Sequence, residues 1–161
     1  MIGADPERRY VRSLEGTRKQ IRSYRAEDES AVLRLWELCG LTRPWNDPRE
    51  DIARKLAEHP ELFLVGLVDG RLVATAMGGY EGHRGWVNYL AVAPESRGRS
   101  AGRQLMEEVE RLLTALGCPK LSLLVRRGNE GVLAFYRELG YAEDDVVAMG
   151  KRLIVDQPPV P

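Results

Sequence analysis

Arg97, Arg99 and Arg103 crowd into one short stretch, PESRGRSAGRQL, interleaved with Gly98 and Gly102. An apolar run, WVNYLAV, precedes it and a long amphipathic stretch follows. A helix starting after Arg99 would aim unpaired backbone N–H groups and the positive end of its dipole into this turn. The glycines let an anion approach the backbone. Three guanidinium groups suit a polyanion such as a diphosphate better than a single carboxylate. Ser100 stands where a third glycine is expected; it keeps its N–H donor but resists a positive φ. No Gly-Lys-Ser/Thr closes the turn, so it is not a P-loop, and the spacing is not GxGxxG. On these residues alone, an exposed basic helix start is an equal reading.

A second stretch, NEGVLAFYRELGY, sets Asn129 at a helix start and Tyr136 two turns on, with Gly140-Tyr141 closing the helix. Read alone, it is an N-cap followed by a core aromatic. In YEGHRG, His83 has an intrinsic pKa suited to taking a proton, and Glu81 could do so through a water. A solvated loop is the plain alternative for both. Cys39 and Cys118 form no CxxC and the two histidines are isolated, so no metal-ligand spacing exists. Cys118, at a helix exit before Pro119, reads as structural rather than as a ping-pong thiol.

The elements that must position these residues alternate along the chain. IRSYR (Ile21 to Arg25) reads as a short strand. Ala31, Val32, Leu35, Trp36 and Cys39 recur at helical spacing. Asp47 caps a second helix with Pro48 in its first position and Glu50 completing a capping-box pattern; Ile52 and Leu56 are its expected buried side. LFLVGLV and RLVATAM flank Asp69-Gly70 as a hairpin. WVNYLAV is a buried strand. Ala101, Leu105, Val109, Leu112 and Leu116 stripe the next helix, which Gly117 and Pro119 stop. LSLLV is a strand, Glu130 to Leu139 a helix and VVAMG a last strand. The order β-α-α-β-β-β-α-β-α-β predicts an α/β fold: one domain, a mixed β-sheet flanked by helices on both faces. Residues 1–19 read as a flexible extension, 20–155 as the domain and 156–161 as a tail.

Lys plus Arg and Asp plus Glu both number 24, so there is no basic footprint for nucleic acid. No apolar run reaches the length of a membrane span. The opening stretch has no apolar leader, and a reduced, cytoplasmic setting is the expectation.

Together the two motifs resemble the GNAT superfamily of acetyl-CoA-dependent N-acetyltransferases, over about Ile21 to Leu153. Arg97, Ala101 and Gly102 sit in register with its Arg/Gln-x-x-Gly-x-Gly/Ala signature, with Ser100 for the middle glycine. Asn129, Val132, Phe135, Tyr136, Gly140 and Tyr141 match its helix motif. The resemblance implies that Arg97 to Arg103 cradle the diphosphate of coenzyme A. It also implies that the strands holding WVNYLAV and LSLLV splay, so that backbone at Leu90, Ala91 and Val92 pairs with pantetheine. Tyr136 matches the position that donates a proton to the departing thiolate, and Asn129 one that contacts the cofactor or the base region. A glutamate five residues before Asn129, present in N-terminal-alanine acetyltransferases of the family, is Leu124 here. That leaves His83 or Glu81 as base. Trp45, in the RPWNDP connection, matches the acceptor wall as a lid or a plain hydrophobic plug; Tyr80, Asn88 and Tyr89 line the acceptor side. The implied reaction is direct acetyl transfer to a primary amine of a small molecule or protein. The alternative is a non-catalytic acetyl-CoA-binding sensor. Exposed edges of a mixed sheet permit a homodimer.

Overall fold

A computed structural model describes residues 11–14 and 18–156. Six strands lie in sequence order across one sheet: β1 (Val11–Leu14), β2 (Lys19–Ser23), β3 (Phe63–Val68), β4 (Arg71–Tyr80), β5 (Gly85–Val92) and β6 (Leu121–Ser122). The first five run antiparallel to their neighbours, while β6 is parallel to β5. The helices are α1 (Glu29–Leu38), α2 (Pro48–Ala57), α3 (Ala101–Ala115) and α4 (Glu130–Glu138).

Strand alternation sends helices to both faces, as the sequence predicts. Thr75 of β4 accepts a hydrogen bond from Trp36 of α1 (2.9 Å). Gly78, of opposite parity, lies where a Cβ would meet Val109 of α3 at 3.4 Å. On the α1 face an aromatic stack forms the core: Tyr24 on Phe63 (4.6 Å), Phe63 beside Trp36 (6.0 Å), Trp36 on Tyr89 (3.8 Å). Trp36 and Phe63 are fully buried, and burying each apolar side chain of this kind contributes about 1.5–3 kcal/mol. Asp69 (φ 49°) and Gly70 (φ 79°) make the β3–β4 turn with the positive angles that the Asp-Gly pair predicts. Arg22 and Asp28 form a buried two-armed ion pair (2.6 and 2.9 Å) that ties β2 to the entry of α1.

Several expectations need correction. Val11–Leu14, expected within a flexible extension, pairs with Lys19–Arg22 as β1. The remainder of residues 1–17 and residues 157–161, most of the expected tail, lie outside the described residues. VVAMG forms no strand: Val146, Val147 and Met149 are exposed, because strand-forming side chains do not suffice without a backbone neighbour. LSLLV pairs only at Leu121 and Ser122. In α2, Asp47 caps by accepting from Arg49 N–H (2.8 Å) without help from Glu50, and Leu56 is exposed while Ile52 is buried. In α3 the buried stripe is Leu105, Met106, Val109 and Leu113; Leu116 is exposed beyond the last packed turn.

Candidate active site

Two local features of β5 create an opening. First, β6 holds it only at Gly85–Leu121 and Trp86–Ser122, so from Val87 to Val92 that edge has no strand partner among the described residues. Second, β5 bulges: Thr75 pairs with Ala91 but Met77 pairs with Asn88, leaving Tyr89 and Leu90 to share one β4 position. Tyr89 takes φ 50° there, an angle rarely adopted by a bulky residue. Surrounding contacts hold it. Its ring stacks on Trp36, its carbonyl accepts from the Thr75 hydroxyl (2.8 Å), and its hydroxyl donates to Asp51 (2.6 Å) and accepts from Asn46 (3.2 Å). Asp51 also accepts from Asn46 and from Arg54 (3.1 Å). Burial and the adjoining Asp51 carboxylate raise the Tyr89 phenol pKa, so it stays protonated. The sequence marks Tyr89, but not Asn46 or Asp51. Their only signal is a polar pair flanking the helix cap at Asp47.

At the C-terminal end of β5 the chain turns through Gly98 (φ 71°) and Ser100 (φ 63°) into α3. The positive φ foreseen as the cost of serine is therefore present. Arg99, Ser100 and Arg103 are exposed and Ala101 half-buried. The Ser100 hydroxyl donates to the Arg99 carbonyl (2.6 Å), which also accepts from Lys19 (3.2 Å). Arg97 turns back toward β5: its Nε donates to the Val92 carbonyl (3.1 Å), to which the Cys39 thiol also donates (3.5 Å). Gly102 serves packing as well as approach. A Cβ there would meet Phe135 at 3.2 Å and Val92 at 3.3 Å. The arginine turn and the Asn129–Tyr141 motif thus meet at this glycine.

Tyr136 is buried on α4 between Phe135 (5.1 Å) and Tyr141 (5.5 Å), both edge-on. Its hydroxyl has no hydrogen-bond partner among the described residues, yet the oxygen is not sealed from solvent. Burial pushes its pKa up to about 12. Asn129 caps α4, its side-chain oxygen accepting from Val132 N–H (3.4 Å), which leaves its amide N–H₂ free to donate.

The base candidates fare differently. Glu81 accepts from Arg84 N–H (2.6 Å) and His83 N–H (3.3 Å), closing the β4–β5 hairpin. Tyr80 donates to Gly82 (3.2 Å) and Gly117 (3.5 Å) at the same end. His83 lies in the turn before β5, whose first residue, Gly85, is four residues from Tyr89, roughly 13 Å at about 3.3 Å per residue. Tyr80, Glu81 and His83 therefore belong to the hairpin and not to the opening. Asn88 is exposed beside the bulge, and Trp45 is 49% exposed at the tip of a turn closed by Arg43 and Asn46, which removes the plug reading. Cys118 donates to the Lys120 carbonyl (3.4 Å) and lies where a Cβ on Gly85 would clash with it at 2.8 Å, a packing role.

Comparison with known proteins identifies the family and the fold. Residues 30–141 match the model of the acetyltransferase (GNAT) family. A Yersinia pestis protein named an acetyltransferase is 50% identical over 138 residues, covering 86% of this chain and 98% of that protein. The fold is similar to Ard1 from Thermoplasma volcanium (TM-score 0.70, 25% identity, 77% of this chain and 82% of that one). It also resembles the PaiA N-acetyltransferase from Thermoplasma acidophilum, solved with coenzyme A (TM-score 0.70, 20% identity, 80% of this chain and 92% of that one). The chain belongs to the GNAT family and is an N-acetyltransferase. The non-catalytic alternative gives way to that membership. No helix among the described residues is long and apolar enough to cross a membrane.

Proposed function

We propose that this chain moves the acetyl group of acetyl-CoA directly onto a primary amine at the β5 bulge. The observation that carries the reading is the edge of β5 from Val87 to Val92, which has no strand partner among the described residues, is interrupted by the strained Tyr89 and runs on into the arginine turn. Such an edge accepts an extended amide chain as it would a strand. Leu90, Ala91 and Val92 supply backbone groups for pantetheine. Gly98, Ser100, Ala101 and Gly102 supply N–H groups for the diphosphate, with Arg97, Arg99 and Arg103 as its counter-charge. Strain at a bulky residue held by several contacts is typical of a functional position. Asn88, Tyr89 and Trp45 border the acceptor, which a small molecule or a protein can present.

In the reaction the neutral amine nitrogen attacks the acetyl carbon, the N–C bond forms, the C–S bond breaks with its electron pair leaving on sulfur, and the proton that the nitrogen sheds in becoming an amide passes to solvent. Catalysis rests mainly on holding the two reactants in line. Tyr136 donates a hydrogen bond to the departing sulfur. With the phenol near 12 and a thiol near 8.5, full proton transfer to a thiolate is uphill by about 5 kcal/mol. The phenol therefore stabilises the thiolate chiefly as a donor. Glu81 and His83 sit at the far hairpin, Leu124 has no proton acceptor, and the Asp51 carboxylate is already engaged by Tyr89, Asn46 and Arg54, so the incoming ammonium loses its proton to water before it attacks.

Calorimetric titration with acetyl-CoA at low and moderate salt tests the cradle. Binding that weakens with salt is the expected result, since exposed arginines are screened within about a Debye length. Absence of binding would overturn the reading. Tyr136→Phe is expected to retain that binding and to lose roughly 10–100-fold in kcat; an unchanged kcat removes Tyr136 from the mechanism.

A further inference from the structure

Thr75 stands inside β4 with no exposed surface, a polar residue in an apolar run. A buried hydroxyl of this kind must be hydrogen-bonded, and here the direction of each bond is fixed by chemistry. The indole Nε1 of Trp36 can only donate, so the Thr75 hydroxyl accepts from it (2.9 Å). A backbone carbonyl can only accept, so the one hydroxyl proton goes to the Tyr89 carbonyl (2.8 Å). Trp36 also stacks on the Tyr89 ring at 3.8 Å. Fully buried itself, Trp36 thus grips Tyr89 twice, at the ring directly and at the carbonyl through Thr75.

This grip fixes the plane of the Tyr89–Leu90 peptide. The described residues include no cis peptide bond, so the Leu90 N–H points opposite to the Tyr89 carbonyl. Thr75 draws the carbonyl toward β4. The N–H is thereby sent away from β4, toward the edge of β5 that β6 does not cover. The φ of 50° at Tyr89 belongs to this orientation, and a bulky residue does not keep such an angle unaided.

We infer that Thr75, aimed by Trp36, is a positioning residue for acetyl transfer: its hydroxyl holds the Tyr89–Leu90 peptide so that the Leu90 N–H meets the thioester carbonyl oxygen of acetyl-CoA. The inference rests on the acetyl-transfer reading, in which the cofactor lies along this edge, and it assigns the side chains that aim the donor. Negative charge gathers on that oxygen as the amine attacks, and a donor already in place stabilises it without reorganising. Thr75 is sealed from solvent and touches neither reactant; it acts through Leu90.

Calorimetric titration of the full chain with acetyl-CoA and with coenzyme A separates positioning from packing, because coenzyme A has no thioester carbonyl. Thr75→Val keeps the branched shape and removes the hydroxyl. It is expected to bind coenzyme A as wild type does and acetyl-CoA roughly 3–10-fold more weakly, the range of one net hydrogen bond. Thr75→Ser restores the donor and is expected to recover the acetyl-CoA affinity. In infrared difference spectra, acetyl-CoA isotope-labelled at the acetyl carbonyl is expected to show a lower thioester frequency on wild type and Thr75→Ser than on Thr75→Val. Equal losses for the two ligands, or one frequency on all three proteins, overturn the inference and leave Thr75 a packing residue. Should Thr75→Val not fold, Trp36→Phe removes the N–H that aims the hydroxyl and is expected to weaken acetyl-CoA more than coenzyme A; equal weakening overturns the inference there too. Wild type that binds neither ligand defeats the acetyl-transfer reading and this inference with it. Wild type that binds acetyl-CoA without lowering its thioester frequency below that in solution defeats this inference alone.

Discussion

Ser100 sits at the mouth of the arginine turn with φ 63°, a left-handed angle costing an L-residue about 1–2 kcal/mol. Its one side-chain hydrogen bond runs to the neighbouring Arg99 carbonyl on the surface. Ser100→Gly is therefore expected to stabilise the fold by roughly 1 kcal/mol, seen in thermal unfolding as a Tm rise of about 2–4 °C. It is expected to leave acetyl-CoA affinity equal or tighter, because the backbone donor is kept. A lower Tm would show that the serine hydroxyl outweighs the strain.

Among the elements, α3 and α4 meet where Gly102 admits Phe135 and Val92. Gly102→Val puts branched carbons into contacts that a Cβ alone already makes at 3.2 and 3.3 Å. We expect a loss of about 1–3 kcal/mol in chemical denaturation and weaker acetyl-CoA binding as α4 moves off the turn. On the opposite face, β2 and α1 depend on the buried Arg22–Asp28 pair. Arg22→Ala leaves a buried carboxylate uncompensated and is expected to cost about 3–5 kcal/mol. Burial alone would raise the Asp28 pKa, but the Arg22 hydrogen bonds and the Arg25 N–H more than offset it, so the folded pKa is depressed. That sign means the pair contributes stability above the unfolded carboxylate pKa near ~3.9 and loses it as pH falls through the lower folded value. Acid titration should show the stability of Asp28→Asn falling less steeply than wild type below about pH 4.

For the whole molecule, the separation of the hairpin residues from the β5 bulge makes a kinetic prediction. With water taking the proton, log kcat/KM should climb with unit slope until the acceptor amine itself is deprotonated, at about 8 for an α-amine or about 10.4 for a lysine. Glu81→Gln and His83→Ala should leave that profile in place. An additional inflection at lower pH that disappears with His83→Ala would restore the histidine as base.

Much of this fold was legible because it is locally encoded. The Asp69-Gly70 turn, the Asp47-Pro48 helix start, the α3 periodicity and the two motifs each need only neighbours in sequence. What was misread depended on distant partners. VVAMG has strand composition but no strand beside it among the described residues, and Leu56 and Leu116 have helical spacing but lie partly open to solvent. Glu81 and His83 have suitable chemistry, but β5 carries them to the wrong end. Asn46 and Asp51 carried no expectation at all, because the Tyr89 hydroxyl reaches them only across 38 residues from Asp51.

The sequence by itself determined the family, the order of elements from β2 to α4 and the residues of the arginine turn, since local periodicity, turn chemistry and motif spacing act within short windows. Only the tertiary structure decided where β5 parts from β6, that Tyr89 is held at a positive φ, and that the segment after Tyr141 forms no strand among the described residues. Those outcomes depend on which backbone groups and side chains distant segments bring within hydrogen-bonding and packing range, a matter of three-dimensional proximity that no short window contains.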